Sequence, residues 1–410
     1  MRILLLAPHP FFSVRGTPIA VRNLIEVLGA EGHAIDVVTY FEGTEVAIHG
    51  VRVHRIRRPW GVRSVPIGAS WQKLPCDWRL YWLARQLMSQ HRYDLVHAVE
   101  ESAFLARTLC AGSGIPYVFD MDSIMSQQIA GTHVLLRPVA RLFELLEGGA
   151  LRSAAAVLTV SPGLADYARR RGARGPVAVI PDAPQRLNAS THEPASELGG
   201  GSGVAIVYAG NLEHYQGVDL LIEGFRRAGF PESIATLWVI GGDSSAVARL
   251  RRTARDLVAS RRVRFRGQLS LDAMMATLNA ADILVSPRRA GLNTPMKVYN
   301  YLAAGKAILA TRIPAHTDVF DYGCALLVEP TVSEVAEGLR TLVGDPALRR
   351  RLGEAARLRS KRSYSRAQYR ERVLAFYSKV SANAISLESL ATSRTSIGER
   401  QETQHHQPPR

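Results

Sequence analysis

The stretch YAGNLEHYQGVDLLIEGF, Tyr208 to Phe225, holds the fold in miniature. It opens on the end of a short apolar run, VAIVYAG, passes a turn bounded by Gly210 and Gly217, and continues with apolar residues at helical spacing. A buried strand, a glycine turn and an amphipathic helix, in that order, form one unit of a parallel sheet covered on both faces. The turn sets unpaired helix amides at the carboxyl end of a strand, a geometry suited to phosphate.

Outward from this unit the alternation repeats. TLWVIGG, VRFRG, DILVSP and AILAT follow it, separated by helix-period stretches such as LDAMMATLNAA; RILLLA, AIDVVTY, DLVHAV, PYVFD, AAVLTV and VAVIP precede it. Near-continuous apolar strands of this kind belong to parallel sheets buried on both sides. The Gly-, Ser- and Pro-rich QRLNASTHEPASELGGGSG divides the two series and reads as a linker. At 410 residues the chain has room for two cores. The expected class is α/β: a Rossmann-like doubly wound domain over 1–185, a linker at 186–203 and a second such domain over 204–363. A helix at 364–380 is expected to cross back to the first domain, and a polar, aperiodic tail at 381–410 to be disordered.

Hydrophobic residues at 47% and charged residues at 21% describe a soluble globular chain, and no apolar run approaches the roughly 20 residues that span a bilayer. MRILLLAPHP reads as a first strand and not as an export signal, because prolines stand where a cleavage site would be. Cys76, Cys110 and Cys324 lie far apart, which argues against a zinc site or a disulfide framework and fits a reducing cytoplasm. The net charge of +15 attracts polyanions or an anionic membrane.

Two helix starts share a device. RGTPIAVRNLIEVL puts Thr17 at an N-cap with Pro18 at the first helical position, and GLNTPMKVYNYLAAG repeats it with Thr294 and Pro295 before closing at Gly305. Following strands of both sheets, the two starts would face one crevice and bracket a pyrophosphate. Taken singly, Thr-Pro is also no more than a good helix start.

The Gly16 turn, AEGHAIDVVTY, RYDLVHAVEES, VIPDAP, YAGNLEHYQGVDLLIEGF and PMKVYNYLAAGKAILAT together resemble the family 4 glycosyltransferases of the GT-B type, over nearly all of the chain before its tail. The resemblance implies two Rossmann-like domains facing a cleft and a retaining, metal-independent transfer of a sugar from a nucleotide diphosphate sugar. The second domain would hold the donor and the first the acceptor. Motifs and resemblance together make Gly16, Thr17, Gly210, Asn211, Gln216, Gly217, Arg288, Thr294, Lys297 and Asn300 the donor-binding candidates.

Four positions depart from the family pattern. Asn211 and Gln216 stand where similar enzymes carry Arg and Lys, so neutral amides replace two charges. Compensating charge is expected from Lys297, or from Arg288 or Arg289 after DILVSP. A first-turn lysine gains nothing from the helix dipole and so suits an anion better than it suits the helix. Asn300 occupies the place of the second of two glutamates, which in the family accepts from the nucleotide ribose. Asp122 in FDMDS occupies the place of a histidine.

Asp120 lies two residues before Asp122, so on an extended segment both carboxylates point the same way. They are the catalytic candidates, orienting an acceptor hydroxyl and taking its proton. A divalent-cation pair and a loop-capping pair are the alternatives. His97, Glu100 and Glu101 in DLVHAVEES are acceptor-binding candidates, against a core histidine and two solvated acids. VIGGDSS offers a base-binding loop or a plain turn.

Residues 51–92 hold eight Arg and one Lys against a single acid, Asp77, together with Trp60, Trp71, Trp78 and Trp82. Such a mixture suits an anionic membrane interface. Tryptophans packed beneath a solvated Arg face form one alternative, and nucleic acid another, although no nucleic-acid motif accompanies the stretch. The functional expectation is a glycosyltransferase with no cofactor or metal, cytoplasmic or peripheral at the inner face of the plasma membrane. It would pass sugar to a glycan or lipid-linked acceptor in polysaccharide or glycolipid synthesis. A noncatalytic scaffold of the same fold, binding nucleotide or glycan, is the alternative.

Overall fold

A computed structural model describes residues 1–13, 16–65, 70–132, 137–185 and 203–382. The linker expected at 186–203 and the tail expected from 381 lie outside the described residues, apart from Gly203 and two final helical residues. Two parallel sheets form. The first contains β1 (Arg2–Ala7), β2 (Ala34–Thr39), β3 (Val51–Arg55), β4 (Leu95–Val99), β5 (Tyr117–Met121), β6 (Ala156–Thr159) and β7 (Val177–Val179), in the spatial order β3-β2-β1-β4-β5-β6-β7. The second contains β8 (Val204–Ala209), β9 (Ala235–Ile240), β10 (Val263–Arg266), β11 (Ile283–Ser286), β12 (Ala307–Thr311) and β13 (Leu326–Val328), in the order β10-β9-β8-β11-β12-β13. The winding reverses between β1 and β4 and between β8 and β11, and a crevice opens at such switch points.

Period-two alternation divides each central strand between two cores. Ile3 and Leu5 face Ile19, Leu24, Ile25 and Leu28 of the helix Gly16–Ala30, whereas Leu4 and Leu6 face Leu80, Ala84 and Leu87 of the helix Leu74–Gln90. In the second domain Ile206 and Tyr208 pack on Leu221, Ile222 and Phe225, while Val207 and Ala209 lie against Tyr301 and Leu302. Each fully buried Leu or Ile contributes about 1.5–3 kcal/mol.

A last helix, residues 366–382, returns to the first domain. Tyr369, Val373, Phe376, Tyr377 and Val380 recur at helical spacing and enter the cluster of Ile3 and Leu5. Arg366 donates to Asn23 Oδ1 and Glu26 Oε2, each at 3.3 Å. The domains also touch directly, where Ser161 Oγ donates to the Leu292 carbonyl at 2.8 Å.

Neither Thr-Pro pair caps its helix as expected. The first helix already begins at Gly16, which puts Thr17 inside the first turn. The second runs Lys297–Ala304 with Met296 in the cap position. Pro295 closes a tighter turn before it, its carbonyl accepting from the Val298 amide at 2.9 Å, so Thr294 stands outside the helix.

Candidate active site

After β8 the chain turns at Gly210, forms one short helical turn over His214–Gln216, and enters the helix Val218–Ala228 through Gly217, whose φ is +69°. The turn lies hard against the segment that follows β11. A Cβ on Gly217 would stand 2.0 Å from the Pro287 carbonyl oxygen, and the Arg289 amide donates to the Tyr215 carbonyl at 3.0 Å. This apposition sets the Arg288 guanidinium 5.1 Å from the centre of the Tyr215 ring. Lys297 Nζ lies 4.1 Å from the centre of the Tyr208 ring and donates to Gln216 Oε1 at 2.9 Å.

Arg288 donates from its two terminal nitrogens to the carbonyl and Oδ1 of Asn293, both at 2.8 Å, and its Nε is buried without a partner. Among the described residues neither Arg288 nor Lys297 has an acidic partner, whereas Arg289 pairs with Asp219 at 2.8 Å. Burial pushes the Lys297 ammonium well below its ordinary pKa, and the Arg288 charge adds to the effect. Burial lowers Arg288 as well. A buried arginine and a half-buried lysine beside a glycine turn, neither paired with an acid, favour an anion that would be stabilised by both and would restore the proton the lysine gives up readily.

The neutral donor-side candidates have other partners. Asn211 shapes its own loop, accepting from the Glu213 amide at 3.3 Å and donating to the Tyr215 hydroxyl at 3.4 Å. Gln216 orients Lys297. Asn300 is buried and its Oδ1 accepts the Gln185 amide at 2.9 Å, so the acceptor expected to face a ribose is used at the domain junction. Thr294 is buried with its hydroxyl unpartnered.

In the first domain four acids gather at the carboxyl ends of strands: Glu100 after β4, Asp120 on β5, Asp122 just after it, and Asp182 beyond β7. Burial raises Asp122 well above the usual carboxyl range, and the charges of Asp120, Glu100 and Asp182 raise it further against a hydrogen bond from Thr17. Burial, with Asp120 nearby, pushes Asp182 up to about 7; burial and the neighbouring Glu101 push Glu100 up to about 8. Ser123 Oγ donates to both Glu100 oxygens, at 3.1 and 3.0 Å. Thr17, expected on the donor, therefore stands with the acids. Asp182 also raises the buried Tyr299 hydroxyl of the second domain, which places it at the junction. Its signal in the sequence was an acid directly following the strand VAVIP.

Two acceptor-side expectations are corrected. His97 has no exposed surface, because β4 is a central strand with β1 on one side and β5 on the other. Its ring lies between Asp120 and Tyr377 and faces no solvent. Glu101 is not a free acid: it accepts from Lys73 Nζ at 2.8 Å, with both side chains mostly buried, and so ties its loop to the start of the helix Leu74–Gln90. Among the described residues no three His, Cys, Asp or Glu side chains are disposed to hold a metal ion.

Comparison with solved structures shows the same architecture along almost the whole chain. Sucrose-phosphate synthase from Thermosynechococcus elongatus superposes with a TM-score of 0.76 at 21% identity, covering 93% of this chain and 99% of that one. Anabaena HepE in complex with UDP and glucose gives 0.71 at 18% identity, covering 92% and 99%. WaaG, a glycosyltransferase involved in lipopolysaccharide biosynthesis, gives 0.70 at 15% identity, covering 90% and 98%. No curated protein matches the chain in sequence. Residues 15–183 match the family model of the glycosyl transferase 4-like domain, and residues 196–359 that of the glycosyl transferases group 1. With two such domains in succession on a GT-B frame, the chain belongs to the family 4-like glycosyltransferases.

Proposed function

We propose that the chain transfers a sugar from a nucleoside diphosphate sugar, with retention and without a metal, to a glycan or lipid-linked acceptor in polysaccharide or glycolipid synthesis. The observation that carries this reading is the unneutralised pair Lys297 and Arg288 beside the Gly210–Gly217 turn. A diphosphate supplies the charge that the pair lacks. Anabaena HepE has been solved with UDP and with UDP-glucose, which supports a donor of that class here.

In the reaction the bond from the anomeric carbon to the diphosphate breaks, and the acceptor oxygen bonds to that carbon on the face the diphosphate leaves, as retention in one displacement requires. The acceptor proton passes to the ionised fraction of Asp122, which the raised pKa makes smaller but more basic than an ordinary carboxylate. Charge growing on the departing diphosphate falls to Lys297 and Arg288.

The tryptophan segment supports an acceptor met at an anionic membrane surface. Trp71, Leu74, Trp78 and Trp82 are all exposed and follow one another at helical spacing, and Trp60 is 98% exposed, so these rings are not packed beneath an insertion. Arg85 stacks 5.4 Å from the centre of the Trp82 ring. Aromatics flanked by Arg suit lipid headgroups, and Lys73 links this helix to the loop of Glu100. Among the described residues no helix is long and apolar enough to cross a membrane.

Calorimetric titration with UDP and GDP tests the donor site. Lys297→Met is expected to weaken binding about tenfold or more, the loss of a charge-assisted bond; equal affinity would remove Lys297 from the site. Proton NMR of the product's anomeric centre decides retention, and chelator should leave the rate unchanged. Nucleotide binding with no turnover across a panel of nucleotide sugars would favour the scaffold. Cosedimentation with anionic vesicles should be lost when Trp71, Trp78 and Trp82 all become Ser.

A further inference from the structure

His97 is hydrogen-bonded at both ring nitrogens inside the first domain. Nε2 stands 3.1 Å from Asp120 Oδ2, and Nδ1 stands 2.7 Å from the Tyr377 hydroxyl. The two rings also stack, with centroids 6.1 Å apart and planes inclined at 26°. A carboxylate only accepts, so Nε2 carries the ring proton and Nδ1 accepts from the hydroxyl. Donation therefore runs from Tyr377 to His97 to Asp120. It ends on one oxygen. The other, Oδ1, is buried with no partner, and the Asp120 charge acts on Asp122. Burial keeps the Tyr377 hydroxyl protonated, which maintains the sense of the relay. Tyr377 reaches this place from the helix 366–382, which packs on the same sheet.

We propose that Tyr377 and His97 are positioning residues for Asp120: the C-terminal helix decides which carboxylate oxygen is used by the fold and which is left for the acceptor hydroxyl. The proposal rests on the assignment of Asp120 and Asp122 to the acceptor. Without the Tyr377 hydroxyl, Nδ1 is a buried acceptor with no donor. The carboxylate still holds the ring proton on Nε2, but the ring keeps only one of its two hydrogen bonds, and Asp120 loses its fixed orientation.

Nitrogen-15 NMR of the imidazole reads the relay directly, with His97→Gln identifying the signals. The wild-type protein is expected to show the Nε2–H tautomer with a hydrogen-bonded Nδ1, and Tyr377→Phe the same tautomer with the Nδ1 resonance moved downfield, as for an acceptor nitrogen that has lost its donor; an unmoved Nδ1 would mean that Tyr377 does not donate to it. An Nδ1–H tautomer in the wild type would overturn the proposal, since Asp120 would then carry the proton and Tyr377 would accept. In sugar transfer, Tyr377→Phe should lower kcat by on the order of tenfold, short of the 10²–10⁴ of a whole general base, with the donor KM unchanged. His97→Gln, which keeps a donor and an acceptor, should retain more activity than His97→Ala. Asp120→Asn separates the two claims. If it slows transfer while folded Tyr377→Phe does not, the relay is only structural and the proposal fails with the acceptor assignment intact. If Asp120→Asn and Asp122→Asn are both fully active, the acceptor assignment itself fails.

Discussion

Lys297 and the acids Glu100, Asp122 and Asp182 are desolvated groups of opposite sign, and each shifts as desolvation demands: the ammonium loses its proton more readily and the carboxyls hold theirs more tightly. Asp182 and Glu100 have folded pKa values of about 7 and about 8, against 3.8 and 4.5 as ordinary carboxyls. Between those limits the folded state binds more protons than the unfolded one, so their contribution is present at low pH and lost as pH rises through 7 to 8. The melting temperature of the ligand-free protein should fall between pH 5 and pH 8, and Asp182→Asn should remove part of that fall. A flat profile in the wild type would refute it. Lys297 behaves in the opposite sense. A bound diphosphate raises its pKa, so binding takes up a proton and UDP affinity falls as pH rises. Calorimetry in buffers of different ionisation heat should show this uptake in the wild type and not in Lys297→Met. The carboxylates were legible in FDMDS, because a strand end and a period of two fix where they point. The fate of His97 was not, because it depends on partners 23 and 280 residues away.

Among the elements, the turn of Gly210–Gly217 governs the donor side through its fit against Pro287. Gly217→Ala forces a left-handed residue to carry a Cβ and drives that carbon into the Pro287 carbonyl, displacing the segment that holds Arg288. Gly229→Ala is the control, since its φ is +76° and a Cβ there meets nothing within 4 Å. Both changes should cost about 1 kcal/mol of conformational strain. Only Gly217→Ala should also weaken UDP binding, by about tenfold or more. Similar affinities in the two variants would show that the contact with Pro287 does not shape the site. Strands such as RILLLA and VAIVYAG were plain in the sequence because burial on both faces leaves an unbroken apolar run. Two of the outermost strands, β3 and β13, were not. VRVHR alternates with basic residues at one edge of its sheet, and β13 is three residues long at an edge of the other. The Thr-Pro starts misled for a related reason: proline fixes its own φ but not whether the first turn is tight or helical.

For the whole molecule, the loop between Arg288 and Asn293 serves two tasks, since its Leu292 carbonyl accepts the Ser161 hydroxyl of the other domain. Ser161→Ala should loosen this contact, worth about 0.5–1.5 kcal/mol, and speed release of a fluorescent nucleoside diphosphate by roughly two- to tenfold in stopped flow. An unchanged release rate would mean that the contact does not hold the cleft. The presence of two α/β domains was readable from the strand–helix alternation that restarts at VAIVYAG, but which surfaces meet was not, because no local pattern encodes a pairing 131 residues apart. The helix 366–382 has a further consequence, for biosynthesis. Ile3 and Leu5 leave the ribosome well before Tyr369, Val373, Phe376, Tyr377 and Val380, which complete their cluster only after the entire second domain has emerged. At translation rates of about 5–20 residues per second, the interval between residues 185 and 366 lasts roughly ten to forty seconds. For that time the nascent first domain presents an uncovered apolar strip to the cell, and folding chaperones have their window there.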